Sequence, residues 1–471
     1  MSRNDADAAP PALPEPTVSV ADPARLSGSV IGRYAIGSLG TGGFATLPGL
    51  VLVFYLTDTL GVAAWAAGLV ITGAKIWDVL IDPLVGGLSD RSLRRTGSRR
   101  RLMVAGGIAL PVFFLLTFAV PADTPPVVAA TWVVLAFLLA STSFSLFQVP
   151  YIALPAELTA RYDQRTRLLT ARVAVLALAI LLFGAGGPLL RKIGNPYTGY
   201  LVMGLVAGVV IGAGMLISST VAPRGVAPDL AAVDAAPAHG YRAGFAALRR
   251  SQPFRVLLSA YLLQALATGL MLAAANYVAV WVMHSDDALT FLFVALIAPA
   301  IVFSPVWNAV SRRLGKERSF RLASTLFAVA AASLTAAIWV PGAWMYASVA
   351  VAGAAYAGMQ ALPMAMLPDV ISHDARTHGP GQAGVFGGMW TAGETTGMAL
   401  GAGLLALILT VTGYLQTTAG HTVVQPGAAV TGIAAAFGVV PAVLTLLSLV
   451  FLARYRLRRE DIDDPAPEAR S

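Results

Sequence analysis

Three ionisable side chains, Lys75, Asp78 and Asp82, fall inside one apolar stretch, residues 63–88. On a helix they lie within about 60° of one another, a single narrow polar stripe. An ionisable group in hydrocarbon costs about 2.5–3.5 kcal/mol on insertion scales, which makes each of them a functional suspect. Lys75 neutralises one carboxylate and leaves the other for a cation. Two carboxylates facing a dry cavity bind Na⁺ or share a proton. The competing reading is a buried salt bridge that only fixes helix packing, a role that hardly needs two acids.

Further polar residues interrupt other apolar stretches. Ser145 and Gln148 are three apart, on one face of the fourth predicted helix, and offer a hydroxyl ligand and a substrate amide. The alternative for Ser145 is a bond back to its own helix carbonyl. Arg172 in the fifth helix and Glu394 in the eleventh each stand alone. They face each other or a substrate across a central cavity, or they form a purely structural salt bridge between the two halves. Gly393, Gly397 and Gly401 repeat every four residues around Glu394, a spacing that favours close helix contact. Asn276, Tyr277 and Trp281 in the seventh helix and Trp390 in the eleventh add amide and aromatic surface. Trp281 reads as an interfacial anchor, and the deeper Trp390 as the cavity candidate.

The elements that must hold these residues are membrane helices. Hydrophobic residues make up 57% of the 471 and charged residues 12%, too few charges to dress a water-facing surface. Stretches of about 20 apolar residues, the length needed to cross a bilayer, recur along nearly the whole chain. The predicted spans are 32–57, 63–88, 102–120, 127–154, 168–190, 197–221, 254–282, 289–311, 320–340, 344–367, 383–413 and 429–454. They divide into two six-helix bundles, 32–221 and 254–455. A polar linker, 222–253, joins the bundles, and tails 1–31 and 456–471 flank them. A repeat supports the division. Arg94-Arg95-Thr-Gly-Ser-Arg99-Arg100 follows the second helix, and Arg312-Arg313-Leu-Gly-Lys-Glu-Arg318 follows the eighth.

Basic residues crowd alternate loops, while five of the six intervening loops have none; the exception carries Arg191 and Lys192. By the positive-inside rule both termini, and the linker, are cytoplasmic. The net charge of +8 is therefore a topology signal rather than a nucleic-acid footprint. The N-terminal tail lacks the pattern of a cleavable signal. With no cysteine, thiolate sites and disulfides are excluded. The five histidines form no ligand-spaced pair on a helix, and His373 and His378 fall in a predicted loop. No phosphate-binding loop and no nucleophile–base set points to an enzyme or to ATP-driven transport.

The run Lys75-Ile-Trp77-Asp78-Val-Leu-Ile-Asp82-Pro83-Leu-Val-Gly86-Gly-Leu-Ser-Asp90-Arg91 resembles the glycoside–pentoside–hexuronide:cation symporters, the melibiose-permease branch of the major facilitator superfamily. Tyr55-Leu-Thr57-Asp58, Gln148-Val-Pro150-Tyr151, Asp163-Gln-Arg165-Thr-Arg167 and Leu367-Pro368-Asp369 fit as well. The resemblance implies an all-α major facilitator fold of twelve transmembrane helices. It also implies a cation site at Asp78 and Asp82, with Ser145 and Lys75 assisting, and a substrate role for Arg172. Asp90, Arg91, Arg165, Arg167 and Asp369 would belong to the cytoplasmic loops that gate access.

Departures are also visible. Ile81 replaces the Asn that precedes the second aspartate in the melibiose permease. Gly42 and Gln148 replace its sugar-binding aspartates, and Glu394 stands where many members have a lysine. The expected function is Na⁺- or H⁺-coupled symport of a sugar or glycoside, without a cofactor, by a monomer in a bacterial inner membrane. Carriage of an amphipathic solute such as a lysolipid or steroid is the alternative, and a non-transporting sensor is a third reading. The partners are a small-molecule substrate and membrane lipid. Candidate substrate contacts are Gln148, Arg172, Glu394, Trp390, Asn276 and Tyr277.

Overall fold

The computed structural model describes residues 26–159, 162–223, 248–285, 287–378, 383–419, 421 and 423–457. Among these, twelve helices are long and apolar enough to cross a membrane. They are α1 (Gly28–Thr59), α2 (Ala64–Thr96), α3 (Arg100–Thr117), α4 (Pro126–Leu158), α5 (Tyr162–Leu190) and α6 (Pro196–Ser219). The second set is α7 (Gln252–Val282), α8 (Ala288–Leu314), α9 (Lys316–Ile338), α10 (Trp344–His378), α11 (Ala383–Val411) and α12 (Gly427–Leu452). Most of the proposed linker and both tails lie outside the described residues.

The two sets pack by one pattern. In the first, α3 lies against α4 and α6, α2 against α4, and α1 against α5 and α6. In the second, α9 lies against α10 and α12, α8 against α10, and α7 against α11 and α12. The sets meet through α1 with α7, α2 with α11 and α5 with α8. A local feature repeats too. Both α1 and α7 end in a π-turn, Tyr55–Thr59 and Val278–Val282. After each, the chain closes with the same hydrogen bonds: Leu60 N to Tyr55 O and Val62 N to Leu56 O, then Met283 N to Val278 O and Ser285 N to Ala279 O.

Large apolar side chains such as Leu69, Leu80, Val173 and Val302 cover the outside, as a lipid-facing surface requires. Since lipid is as apolar as leucine, helices are held by close packing of small residues. The glycines of α11 show this. A Cβ on Gly397 would lie 2.7 Å from Ala265 Cβ, and one on Gly401 2.4 Å from Leu270 N, so α7 and α11 touch nearly backbone to backbone.

Several helices outrun their predicted ends on the arginine-rich side. α2 continues to Thr96, where Gly97 (φ 64°) provides a left-handed cap. α10 continues through Pro363 and Pro368 to His378, so Asp369, His373 and His378 are helical rather than in a loop. An apolar window ends where polarity begins, but a helix entering water needs no apolar residues to continue.

Candidate functional site

The stripe on α2 forms two local pairs. Lys75 Nζ lies 2.9 Å from Asp78 Oδ2, with Asp78 mostly buried. Four residues on, Asp82 Oδ1 accepts a hydrogen bond of 2.5 Å from Ser145 Oγ of α4. Ser145 thus turns to α2 rather than to its own helix, whereas its neighbour Ser143 bonds back to Leu139 O at 2.7 Å. The indole of Trp77 donates to Thr142 Oγ1 at 2.9 Å and pins α2 to α4 beside the pair. Among the described residues Asp78 Oδ1 is buried with no partner, an arrangement that costs free energy unless a ligand or proton meets it.

Lys75 carries one positive charge and the two aspartates two negative ones, so the ionised stripe has one negative charge left over. Among the described residues no group of three His, Asp or Glu side chains gathers as a metal site. Two carboxylates and a hydroxyl are too few for a divalent cation cage. They fit a monovalent cation or a proton.

The remaining expected residues separate by location. Gln148 Oε1 accepts from Thr41 Oγ1 of α1 at 2.8 Å. Arg172 stacks 5.1 Å above the ring of Tyr151, whose hydroxyl donates to Tyr34 O at 3.0 Å. Glu394 lies in the other half and accepts from Tyr261 at 2.7 Å. Arg172 and Glu394 therefore do not meet in this conformation: each has found a partner on its own side. Trp390 is buried and stacks on Tyr261 with centroids 4.3 Å apart.

Asn276 and Tyr277 lie apart from these residues. They are fully buried at the arginine-poor end, in the seam between the halves rather than in a central cavity. Asn276 accepts from Arg191 at 3.1 Å, and Tyr277 bonds Thr57 at 2.7 Å. Trp281, read as a lipid anchor, instead donates to Tyr414 at 2.8 Å in the same seam. Of the cytoplasmic-loop set, Asp369 pairs with Lys316 at 2.6 Å, and Arg91 and Arg167 are exposed. The side chains of Asp90 and Arg165 lie outside what is described.

Two clusters escaped the reading of site residues. One surrounds Asp58, which accepts from Tyr414 at 2.5 Å and from Thr57 at 2.6 Å. Burial, and then the adjacent Asp58 carboxylate, push the Tyr414 phenol far above its usual range, so it stays a donor. Nearby, Lys192 pairs with Asp287 across the halves, and Thr417 N and Ala419 N donate to Thr57 O and Thr59 O. The signal was present: Arg191 and Lys192 were the sole basic residues of the arginine-poor loops. The other cluster joins Tyr261, Gln264, Tyr356 and Gln360 to Glu394; uncharged polar side chains in helices carry little sequence signal.

A family model described as MFS/sugar transport protein matches residues 33–459. An uncharacterised symporter of Synechocystis sp. is 34% identical over 168 residues, 34% of this chain and 29% of that protein. The match thus spans under a third of that relative's length. A glucuronide carrier protein homolog of Escherichia coli is 23% identical over 444 residues, 92% of this chain and 93% of that one. The crystal structure of a D-xylose–proton symporter aligns with a TM-score of 0.66 at 13% identity, covering 92% of this chain and 98% of that one, a likeness of fold. With twelve membrane-length helices and a family model over nearly its whole length, this multi-pass membrane protein belongs to the MFS/sugar transport protein family.

Proposed function

We propose that this transporter is a symporter, coupling a monovalent cation, Na⁺ or H⁺, to a sugar- or glycoside-type solute by alternating access. The observation that carries the reading is the α2 stripe: one uncompensated negative charge, a buried carboxylate oxygen without a partner, and a hydroxyl supplied by α4. A static packing bridge would need neither the second acid nor the open oxygen. The solute class draws on the family and on the glucuronide carrier homolog that aligns over nearly the whole chain. Arg172, Gln148, Glu394 and Trp390 remain its candidate contacts. The arginine-rich ends, with both termini, face the cytoplasm of a bacterial inner membrane, and the arginine-poor seam faces outward.

The test is uptake into vesicles reconstituted with the purified chain, under separate Na⁺ and H⁺ gradients, with a panel of glycosides and a lysolipid. A glycoside should accumulate under one gradient. Asp78→Asn and Asp82→Asn should each cut accumulation about tenfold or more, while exchange of solute persists, because an amide keeps the size but not the charge that holds the cation. Wild-type accumulation in both variants would reduce the stripe to packing. Accumulation of the lysolipid alone would move the solute to the amphipathic class.

A further inference from the structure

Glu394, the single ionisable residue of α11, is an acid without a countercharge. It lies about two turns inside the membrane-spanning part, Phe386–Val411. Among the described residues no Lys, Arg or His pairs with it. The groups that face it are neutral: Tyr261 from α7, and Tyr356 and Gln360 from α10. Arg255, at the start of α7, donates to Leu248 O and Arg249 O instead, and α12 has no ionisable residue between Gly427 and Leu452. α2 packs on α11 nearer the arginine-poor end, where Gly68 meets Ala406 and Gly403 meets Thr72. Its charges within the membrane are Lys75, Asp78 and Asp82, the first two paired with each other at 2.9 Å. α1 also touches α11, and its own buried acid, Asp58, is held by Thr57 and Tyr414. A carboxylate so placed is costly to keep ionised.

What does surround Glu394 is a hydrogen-bond chain that runs equally well in either direction. The Tyr261 hydroxyl lies 2.7 Å from Glu394 Oε1 and 2.8 Å from Gln360 Oε1, and Gln360 Nε2 lies 2.7 Å from the Tyr356 hydroxyl. Tyr261 has one hydroxyl hydrogen, so it serves one acceptor at a time. With Glu394 ionised, Tyr261 donates to the carboxylate. A half-turn of the Gln360 amide, which exchanges its oxygen and nitrogen, then lets Gln360 donate to Tyr261 and Tyr356 donate to Gln360. With Glu394 protonated every bond reverses: the carboxyl donates to Tyr261, Tyr261 to Gln360 Oε1, and Gln360 Nε2 to Tyr356. Each of these contacts keeps one hydrogen in both states, so gaining or losing the proton leaves none of them unsatisfied. The space left between the side chains holds about one water. That is enough to deliver a proton and too little for a metal ion that brings waters of its own.

We infer that Glu394 is a proton-binding site of the second half, separate from the α2 stripe. It takes a proton from water at the recess, losing its negative charge, and returns it to water, while the Tyr261–Gln360–Tyr356 chain reverses each time. The site goes beyond the coupling reading above: it holds whether α2 binds Na⁺ or H⁺, and in either case it gives the carrier a proton dependence of its own.

Infrared spectroscopy of the full chain in lipid, titrated from about pH 4 to about pH 10, tests it through the C=O stretch of a protonated carboxyl. Wild type should show a band that disappears as pH rises and returns on reacidification. Glu394→Gln should delete that band. Glu394→Asp, which keeps the acid, should move its frequency, so the assignment survives even if the amide variant fails to fold. Asp78→Asn combined with Asp82→Asn should leave the band in place. Tyr261→Phe removes the donor that favours the ionised form, and should raise proton affinity about tenfold, a midpoint about one pH unit higher. No Glu394-dependent band at any pH, a Glu394 band present at every pH, or a band lost with the α2 acids overturns the site. A midpoint unmoved by Tyr261→Phe overturns the reversing chain. The α2 reading is judged by gradient-driven uptake, so the two fail separately.

Discussion

Asp82 and Asp78 belong to one helix, yet their surroundings differentiate them. Asp78 is held by a cation of its own helix at 2.9 Å, while Asp82 is held by a neutral hydroxyl from another. The Ser145 bond therefore ties the coupling stripe to the position of α4, and any movement of α4 against α2 alters what Asp82 offers a cation. Removing that hydroxyl deprives a carboxylate of a charge-assisted hydrogen bond, worth roughly 1.5–3 kcal/mol in general. Asp82 is partly exposed, so the lower end applies, about tenfold in affinity for the coupling ion. Ser145→Ala should shift the ion concentration needed for half-maximal uptake by about that factor, upward for Na⁺, which loses a hydroxyl ligand, and downward for H⁺, because a carboxylate that loses a donor holds a proton more tightly; Ser145→Thr, which keeps the hydroxyl, should restore it. Equal ion dependence in wild type and Ser145→Ala would mean that the bond serves packing only. The α2 stripe was legible in the sequence because a charge in an apolar run stands out. The partners of Arg172 and Glu394 were not, since opposite sign suggests a pair and only tertiary contact shows that tyrosines satisfy each one separately.

At the scale of the helix, hydropathy located all twelve spans and the two sets of six. It misjudged the arginine-rich ends of α2 and α10, because a helix that leaves the bilayer keeps its backbone bonds without keeping its apolar residues. The paired π-turns of α1 and α7 were also invisible. Tyr-Leu-Thr-Asp-Thr and Val-Ala-Val-Trp-Val share no residue in register, so the likeness of the halves survives in backbone hydrogen bonding where side chains have diverged. The α11 glycines, by contrast, were read as packing from spacing alone. Their energetic weight can be isolated within one helix. A methyl on Gly401 would lie 2.4 Å from Leu270 N, whereas one on Gly387 or Gly388 would meet nothing within 4 Å. Gly401→Ala should lower thermal stability in detergent by an amount consistent with overpacking, about 1–3 kcal/mol. Gly387→Ala and Gly388→Ala should match or slightly exceed wild type through better helix propensity. Equal melting of all three would show that α7 and α11 separate at no cost.

For the molecule as a whole, the seam at the arginine-poor end decides which way the transporter faces. Asp58 of α1 is buried there between Thr57 and Tyr414, and Tyr277 and Trp281 of α7 close around it. Arg191 and Lys192 reach from the loop after α5 to Asn276 and Asp287 of the second half. These two basic residues, the exceptions to an otherwise clean charge asymmetry, are spent on holding the halves together. For a symporter working by alternating access, the contacts that join the two halves, Asp58–Tyr414, Thr57–Tyr277, Arg191–Asn276 and Lys192–Asp287, must break once per cycle, so their strength sets the balance between conformations. The Tyr414 bond to Asp58 is the most exchangeable of them, being a single hydroxyl on a carboxylate. Tyr414→Phe keeps the ring and removes one of the hydroxyls from which Asp58 accepts. The loss of a hydrogen bond to a charged group, about 1.5–3 kcal/mol, shifts a two-state equilibrium by roughly tenfold to a hundredfold. The chain has no cysteine, so spin labels introduced as Ala122→Cys and Val424→Cys, on exposed loops of opposite halves at this end, report the seam without background. In the wild-type background the short distance should dominate. In Tyr414→Phe a longer distance should gain population, and substrate exchange should change rate. A distance distribution and exchange rate identical to wild type would show that Asp58 and Tyr414 fill space in the seam without latching it.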